Sequence, residues 1–223
     1  MQSTQNIKAV TFDLDGLMFN TEDIYQQVGT TICERRGKAF PEDLRNQMMG
    51  RKSTDALQLM IDYHSFEDST DELAVESAEV FGSLLPGRLQ PMTGLLDLLE
   101  ALEQANVPKG IATSSGKAFV DHIMSLMNIR ERFTFILTAE NIEHGKPAPD
   151  VYLLAAEKHD VLPEEMLVLE DSEIGCRAGV AARAFTVAVP SEHSNTHSFE
   201  GVNFEATSLR DARIYQALQL AVG

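Results

Sequence analysis

Two aspartates, Asp13 and Asp15, follow the apolar run Ala9 to Phe12 and precede Gly16 in the stretch VTFDLDG. A strand that ends in two carboxylates needs a reason, because like charges repel and an unpaired carboxylate is costly to bury. Three more segments end in groups of related chemistry. Thr113 and Ser114 close PKGIATS, Lys146 sits in HGKPAPD, and Glu170 and Asp171 close MLVLED. A hard divalent cation such as Mg²⁺ takes oxygen ligands, and one shared by Asp13, Asp15 and Asp171 would offset their repulsion. A free aspartate titrates near about pH 4, so Asp13 can attack phosphorus without the activating base that serine requires. Asp15 lies two positions on and faces the same way in a strand. It can protonate the leaving alcohol and later take a proton from the attacking water. Thr113 and Ser114 stand just ahead of a helix that starts near Gly116 and Lys117, where hydroxyls and free amides suit a phosphate. Lys146 adds a fixed positive charge, and stabilising charge is what phosphoryl transfer needs.

The elements that must position these groups are legible from the apolar patterning. Candidate strands are 8–14, 108–114, 133–139, 166–171 and 184–189, separated by amphipathic stretches at 93–106, 117–129, 148–160 and 172–182. Strands alternating with helices imply a mostly parallel sheet covered on both faces. Ligands of such sheets bind outside the carboxyl ends of the strands, where the acids, hydroxyls and lysine converge. The rhythm breaks at 19–87, which reads as helices only, with Pro41 and the Ser-Thr pairs at 53–54 and 69–70 as helix starts. The segment 84–94, with two prolines and two glycines, reads as the return linker. The expected fold class is α/β, a Rossmann-like parallel sheet core with an inserted all-helical cap domain. Residues 1–18 and 88–223 form the core and 19–87 the cap.

The 223 residues carry a formal net charge of −16. A chain this acidic repels nucleic acid and anionic membranes, so neither is expected as a partner. It would also repel a phosphorylated substrate, so any phosphate site needs local positive charge, which Mg²⁺ and Lys146 supply. No run approaches the roughly 18 apolar residues of a membrane span. The first ten residues lack the order of a signal peptide, and Cys33 and Cys176 read as idle thiols. A cytoplasmic setting fits.

The four segments, in this order, resemble the haloacid dehalogenase superfamily of phosphohydrolases. DLDG is similar to its first motif, D-x-D-G; IATSS to the second, an apolar strand closing in Ser or Thr; GKPAPD to the third; and LEDSEIG to the acidic fourth. The helical insertion resembles the cap of the β-phosphoglucomutase-like branch. Within it, MGRKSTDALQLMID (49–62) is similar to pseudouridine-5′-phosphatase and 2-deoxyglucose-6-phosphate phosphatase members. The resemblance implies Asp13 as nucleophile and Asp15 as acid/base. It implies Mg²⁺ held by the Asp13 carboxylate, the Asp15 carbonyl and Asp171, with Glu170 assisting, and phosphate held by Thr113, Ser114 and Lys146. The expected activity is a magnesium-dependent hydrolysis of a small phosphorylated metabolite, a sugar phosphate or nucleotide, through an aspartyl phosphate.

Alternatives are a sugar-phosphate mutase and a phosphometabolite-binding protein without turnover. The mutases carry a histidine where this chain has Tyr25, and their phosphate-gripping cap arginine aligns near Ser53. Dehalogenases lack the second aspartate, present here as Asp15. Arg51 and Lys52, between cap helices, are candidates to contact substrate, and Lys117 is a weaker one. Met48, Met49 and Met60 suit cap core or cleft lining, and HSNTH (193–197) reads as an exposed loop. Whether the chain is a monomer or a dimer stays open.

Overall fold

The structure, a computed structural model, describes residues 6–220. Six parallel strands form one sheet: β1 (Ala9–Phe12), β2 (Lys109–Ala112), β3 (Ile136–Leu137), β4 (Met166–Glu170), β5 (Phe185–Ala188) and β6 (Phe204–Glu205). Their order is β3-β2-β1-β4-β5-β6. The chain steps outward on one side of β1 and then returns to build the other side. That reversal opens a crevice at the carboxyl ends of the central strands. The register fixes what meets there. Phe12 pairs with Ile111 on one side and Leu169 on the other, so the residues that follow each strand emerge together.

Both faces are covered, as the near-continuous apolar strands require. Along β4, Met166 and Val168 pack toward α7 (Asp150–His159) and α8 (Glu173–Ala181), while Leu167 and Leu169 pack into the opposite core. That larger core takes in Leu95, Leu98, Leu99 and Leu102 of α5 (Leu95–Gln104), and Val120, Ile123 and Met124 of α6 (Lys117–Met127). The strand expected at 133–139 is shorter than its sequence suggests. Phe133 follows a 3-10 turn, and Thr138 caps the next turn through Asn141. Two elements carried too weak a pattern to be read: β6, two residues long, and the closing α9 (Ala212–Ala217).

Four helices run consecutively between β1 and α5: α1 (Thr21–Arg35), α2 (Glu42–Met48), α3 (Ser53–His64) and α4 (Thr70–Leu84). Pro41 opens α2, and Ser69 opens α4 through a capping box. The Glu72 amide donates to Ser69 Oγ, and the Ser69 amide donates to Glu72 Oε2 at 2.8 Å. The segments entering and leaving this helical stretch run side by side. Asn20 N donates to Gln90 O at 3.1 Å and Met92 N to Met18 O at 2.8 Å. The Asn20 side chain ties them again, accepting from Gln90 N at 2.7 Å and donating to Arg88 O at 3.1 Å.

Arg36, just past α1, joins the helical stretch across sequence. It donates to both carboxylate oxygens of Asp68, at 3.0 and 2.6 Å, and to Glu76 of α4 at 2.7 Å. These hydrogen bonds hold the Asp68 and Glu76 carboxyls below their ordinary range. A carboxyl depressed in the folded state adds stability above its unfolded pKa of about 4, and loses it as pH falls through the folded value. Arg36→Met is therefore expected to lower the melting temperature at pH 7. The gap from wild type should narrow between pH 5 and pH 3, approximate bounds set by the same carboxyl range. Melting curves across that range check it, and a pH-independent gap refutes the ion-pair origin.

Candidate active site

Asp13 leaves β1 with its amide bonded to Leu169 O of β4 at 3.0 Å. Its carboxylate is buried at the sheet edge, 6% exposed. Lys146 reaches the same point from the loop before α7. Its ammonium donates to Asp13 Oδ1 at 2.5 Å, to Glu170 Oε1 at 2.6 Å and to Ala112 O at 3.1 Å. The Tyr152 ring lies 5.0 Å from Nζ, and the Tyr152 hydroxyl donates to Glu170 Oε1 at 2.7 Å. Glu170 Oε2 accepts from Asp171 N, Ser172 N and Ser172 Oγ at 3.0–3.2 Å. Five donors on one carboxylate use up its lone-pair sites.

Asp15 is held on one oxygen only. Ser115 Oγ donates to Oδ2 at 2.6 Å and Thr113 Oγ1 at 3.3 Å, while Oδ1 is buried without a partner. Ser114 Oγ and Asp171 Oδ2 are likewise buried and unpartnered. These three oxygens come from the ends of three different strands and belong to residues lining one cavity of about 150 Å³. Gly16 makes the approach possible. Its φ of 75° favours glycine, and a Cβ there would stand 2.2 Å from Asp171 Oδ2.

The electrostatics follow from burial. Desolvation pushes the Asp13 carboxyl well above its ordinary range, with Lys146 opposing and Glu170 and Asp15 adding repulsion. Asp171 is raised by the same burial and by Glu170 and Asp13. Asp15 is raised by burial against the hydrogen bonds it accepts. Burial opposes the charge on Lys146, but Asp13 and Glu170 outweigh it and hold the ammonium protonated. Glu22 of α1, facing the same cavity, is pushed up to about 8, mainly by burial and then by Asp15.

Oxygens of Asp13, Glu170 and Asp171 lie within 4.8 Å of one another. An all-oxygen donor set with an unpartnered Asp171 Oδ2 fits a hard divalent cation, which would relieve the crowding of negative charge. The five donors already on Glu170 leave Asp13 and Asp171 better placed to bind such an ion.

Residues 10–189 match the haloacid dehalogenase-like hydrolase family. The chain belongs to that family. It is 31% identical over 199 residues to a probable pseudouridine-5′-phosphatase of Drosophila melanogaster, covering 84% of this chain and 85% of that one. It is 27% identical over 176 residues to a phosphorylated carbohydrates phosphatase of Thermotoga maritima, covering 79% and 82%. A solved haloacid dehalogenase hydrolase of Entamoeba histolytica superposes with a TM-score of 0.82 at 26% identity, covering 96% of this chain and 98% of that one. The chain is a phosphatase of the haloacid dehalogenase-like family.

The structure brings together Asp13, Asp15, Thr113, Ser114, Lys146, Glu170 and Asp171, the residues singled out at the strand ends. Of the cap candidates, Arg51 lines the cavity, and its Nε donates to Gln47 O at 2.7 Å. Lys52 is turned elsewhere. Its ammonium donates to Ile142 O and Glu143 O at 3.2 and 3.1 Å, tying the α2–α3 loop to the loop ahead of Lys146. Lys117 points away, its ammonium paired with Asp121, and its amide donates to Glu140. The carboxylate of Glu140 thus occupies part of the helix N-terminus expected to receive phosphate. Sequence reasoning passed over Ser115, although it is the next letter of IATSS. It also passed over Tyr152 and Arg45, which carry no sequence signal because each lies inside an ordinary helical pattern.

Gly175, in the first turn of α8, is the tightest point of this family site. A Cβ there would stand 1.8 Å from Glu170 Oε1. Gly175→Ala must displace Glu170 and with it the anchor of Lys146. The expected result is a loss of about 1–3 kcal/mol of stability from overpacking, with phosphatase activity falling further than stability alone explains. Melting curves beside turnover check it, and wild-type turnover would refute the coupling of Glu170 to Lys146.

Proposed function

We propose that this protein is a Mg²⁺-dependent phosphomonoesterase acting on a small phosphorylated metabolite through an aspartyl-phosphate intermediate. The observation that carries the reading is the set of three buried, unpartnered oxygens, Asp15 Oδ1, Ser114 Oγ and Asp171 Oδ2, lining the cavity that also receives Asp13. Such orphaned groups are expected to find partners in a filled site. The relatives' names, pseudouridine-5′-phosphatase and phosphorylated carbohydrates phosphatase, support the substrate class.

In this reading an Asp13 carboxylate oxygen attacks phosphorus, and the bond from phosphorus to the alcohol oxygen breaks. Asp15, oriented by Ser115 and Thr113, delivers a proton from Oδ1 to the departing oxygen. Water then attacks the phosphorus of the acyl phosphate, Asp15 takes its proton, and Asp13 is restored as phosphate leaves. Lys146, Thr113 and Ser114 hold the phosphoryl oxygens, and Glu170 with Tyr152 keeps Lys146 in place. Asp13 and Asp171, with the Asp15 carbonyl, would hold Mg²⁺, which supplies positive charge to the phosphoryl group. Residues 19–87 act as a cap that closes over the alcohol and excludes water. Tyr25 is packed between Phe81 and Phe119, with ring centroids 4.8 and 5.7 Å away. That packing suits a role in cap closure and supports hydrolysis over a mutase reaction.

Asp13→Asn is expected to keep the fold and retain less than about a hundredth of wild-type turnover. Asp15→Asn should cost about 10²–10⁴-fold, the range for a lost acid/base. Phosphate release from a panel of nucleoside and sugar monophosphates measures both, and substantial turnover by Asp13→Asn would sink the covalent route. Exhaustive chelation should abolish activity and added Mg²⁺ restore it. Ca²⁺ should not substitute, since its looser and larger coordination permits two-oxygen binding of Asp13 and misplaces the nucleophile. Full activity after chelation rules out the metal assignment.

A further inference from the structure

The cavity does not end at the strand tips. It continues between α1, α2 and α3, where Val28, Ile32, Phe40, Leu57 and Met60 line it. That part can take a carbon skeleton but offers few polar partners. Three cations stand on the α2 side, and their commitments differ. Lys52 is held by two core carbonyls. Arg51, half-buried in the loop after α2, donates back to that helix through Gln47 O. Arg45 also lines the cavity, and its Nε is buried with no partner among the described residues. Its carboxylate neighbours are Glu42 of α2, a loose 3.9 Å from Nη2 and 65% exposed, and Glu22 of α1 in the same cavity, whose raised carboxyl it draws partly back down. A guanidinium is always charged and presents its donors in one rigid plane, suited to oxygens arriving in that plane. A buried donor of this kind is expected to be satisfied when the site is filled.

We propose that Arg45 is a specificity residue for the alcohol half of the substrate, its guanidinium taking an acceptor oxygen of the leaving alcohol while the apolar wall takes the carbon skeleton. Preferred substrates are then compact phosphomonoesters whose alcohol carries a hydroxyl, carbonyl or carboxylate oxygen beyond the ester. This rests on the phosphomonoesterase reading of the same cavity. The arrangement also reconciles an acidic chain with an oxygen-rich substrate. The substrate meets positive charge twice, from Lys146 behind Asp13 and from Arg45 farther along the cavity.

The test compares three esters with wild type, Arg45→Met and Arg45→Lys. Phenyl phosphate has no acceptor oxygen beyond the ester, glycerol 3-phosphate has neutral hydroxyls, and phosphoglycolate has a carboxylate. The ratio of kcat/KM for the better oxygenated ester to that for phenyl phosphate should fall at least about tenfold in Arg45→Met, as expected when a site built to hydrogen-bond its ligand loses the contact. Arg45→Lys, which keeps the charge, should recover part of the ratio. Which oxygenated ester loses more tells a neutral acceptor from an anionic one. Phosphate release by wild type tests the phosphatase reading by itself. If wild type releases none, calorimetric affinities of the same esters for wild type and Arg45→Met supply the ratio instead. The proposal is overturned if all three esters fall by one factor, which assigns Arg45 to the phosphoryl group or to cap closure. It is equally overturned if the ratio does not change, or if wild type shows no preference for the oxygenated esters.

Discussion

One ammonium, that of Lys146, lets several carboxylates stand buried at the end of a parallel sheet. It is 5% exposed and touches Asp13, Glu170 and a main-chain carbonyl at once. A lysine does this where an arginine could not, because a compact point charge on a flexible stem can be reached from three directions. Such a cluster is poor evidence of stability, since desolvation offsets most of the attraction, yet removing one partner leaves a buried charge unpaired at a cost of about 3–5 kcal/mol. The sheet register follows from the same demand. Phe12 stands between Ile111 and Leu169, and a shift of one residue on either side would part Asp13 from Glu170 or from the Ala112 carbonyl.

The charge balance at this point is incomplete by design of the chain itself. Asp13, Asp15, Glu170 and Asp171 crowd around a single lysine, and burial with mutual repulsion raises Asp13 and Asp171 well above the ordinary carboxyl range. Either protons or a cation must complete the balance. Glu170 already accepts from five donors. What remains is Asp13 and Asp171, the pair whose crowding a divalent ion would relieve. The opening question of the sequence, why a strand should end in two acids, has a physical answer in this division. Asp13 is held by the lysine and faces the acidic cluster with Asp171, whereas Asp15 is anchored by hydroxyls and keeps one oxygen unpartnered.

The chemistry was legible in the sequence because strand ends concentrate it. Each of Asp13, Thr113, Ser114, Glu170 and Asp171 follows an apolar run whose end can be read from patterning alone, and parallel topology does the rest. Lys146 was legible from its glycine and proline neighbours. Residues that act from helices were not. Tyr152 and Arg45 have the spacing of ordinary amphipathic positions, and only the fold reveals that one reaches Glu170 and the other the cavity. Lys52 misled for the opposite reason. A basic pair in a loop reads as substrate-facing, but its ammonium is satisfied by two carbonyls of the facing loop. Short elements were harder: β3 was read as a strand but too long, and β6, also two residues, went unread.

The helical stretch meets the sheet domain through a shared apolar core and a set of aromatic and polar links. Phe119 of α6 meets Tyr25 and Phe81. Lys52 meets two carbonyls, His193 meets Asp23 at 2.6 Å, and Gly50 stands against Ser172. The apolar core beneath these contacts is shared, joining Phe12, Leu14 and Leu167 to Ile24, Leu57 and Leu73. The two connecting segments run side by side and are stapled by Asn20. In the reading proposed above, the half of the cavity built on strand ends holds phosphate and metal. The half built on α1, α2 and α3 can change its side chains without disturbing the Lys146 cluster, because no residue of that cluster depends on the helices for its hydrogen bonds. On that reading, substrate choice is free to vary in one half while the chemistry in the other stays fixed.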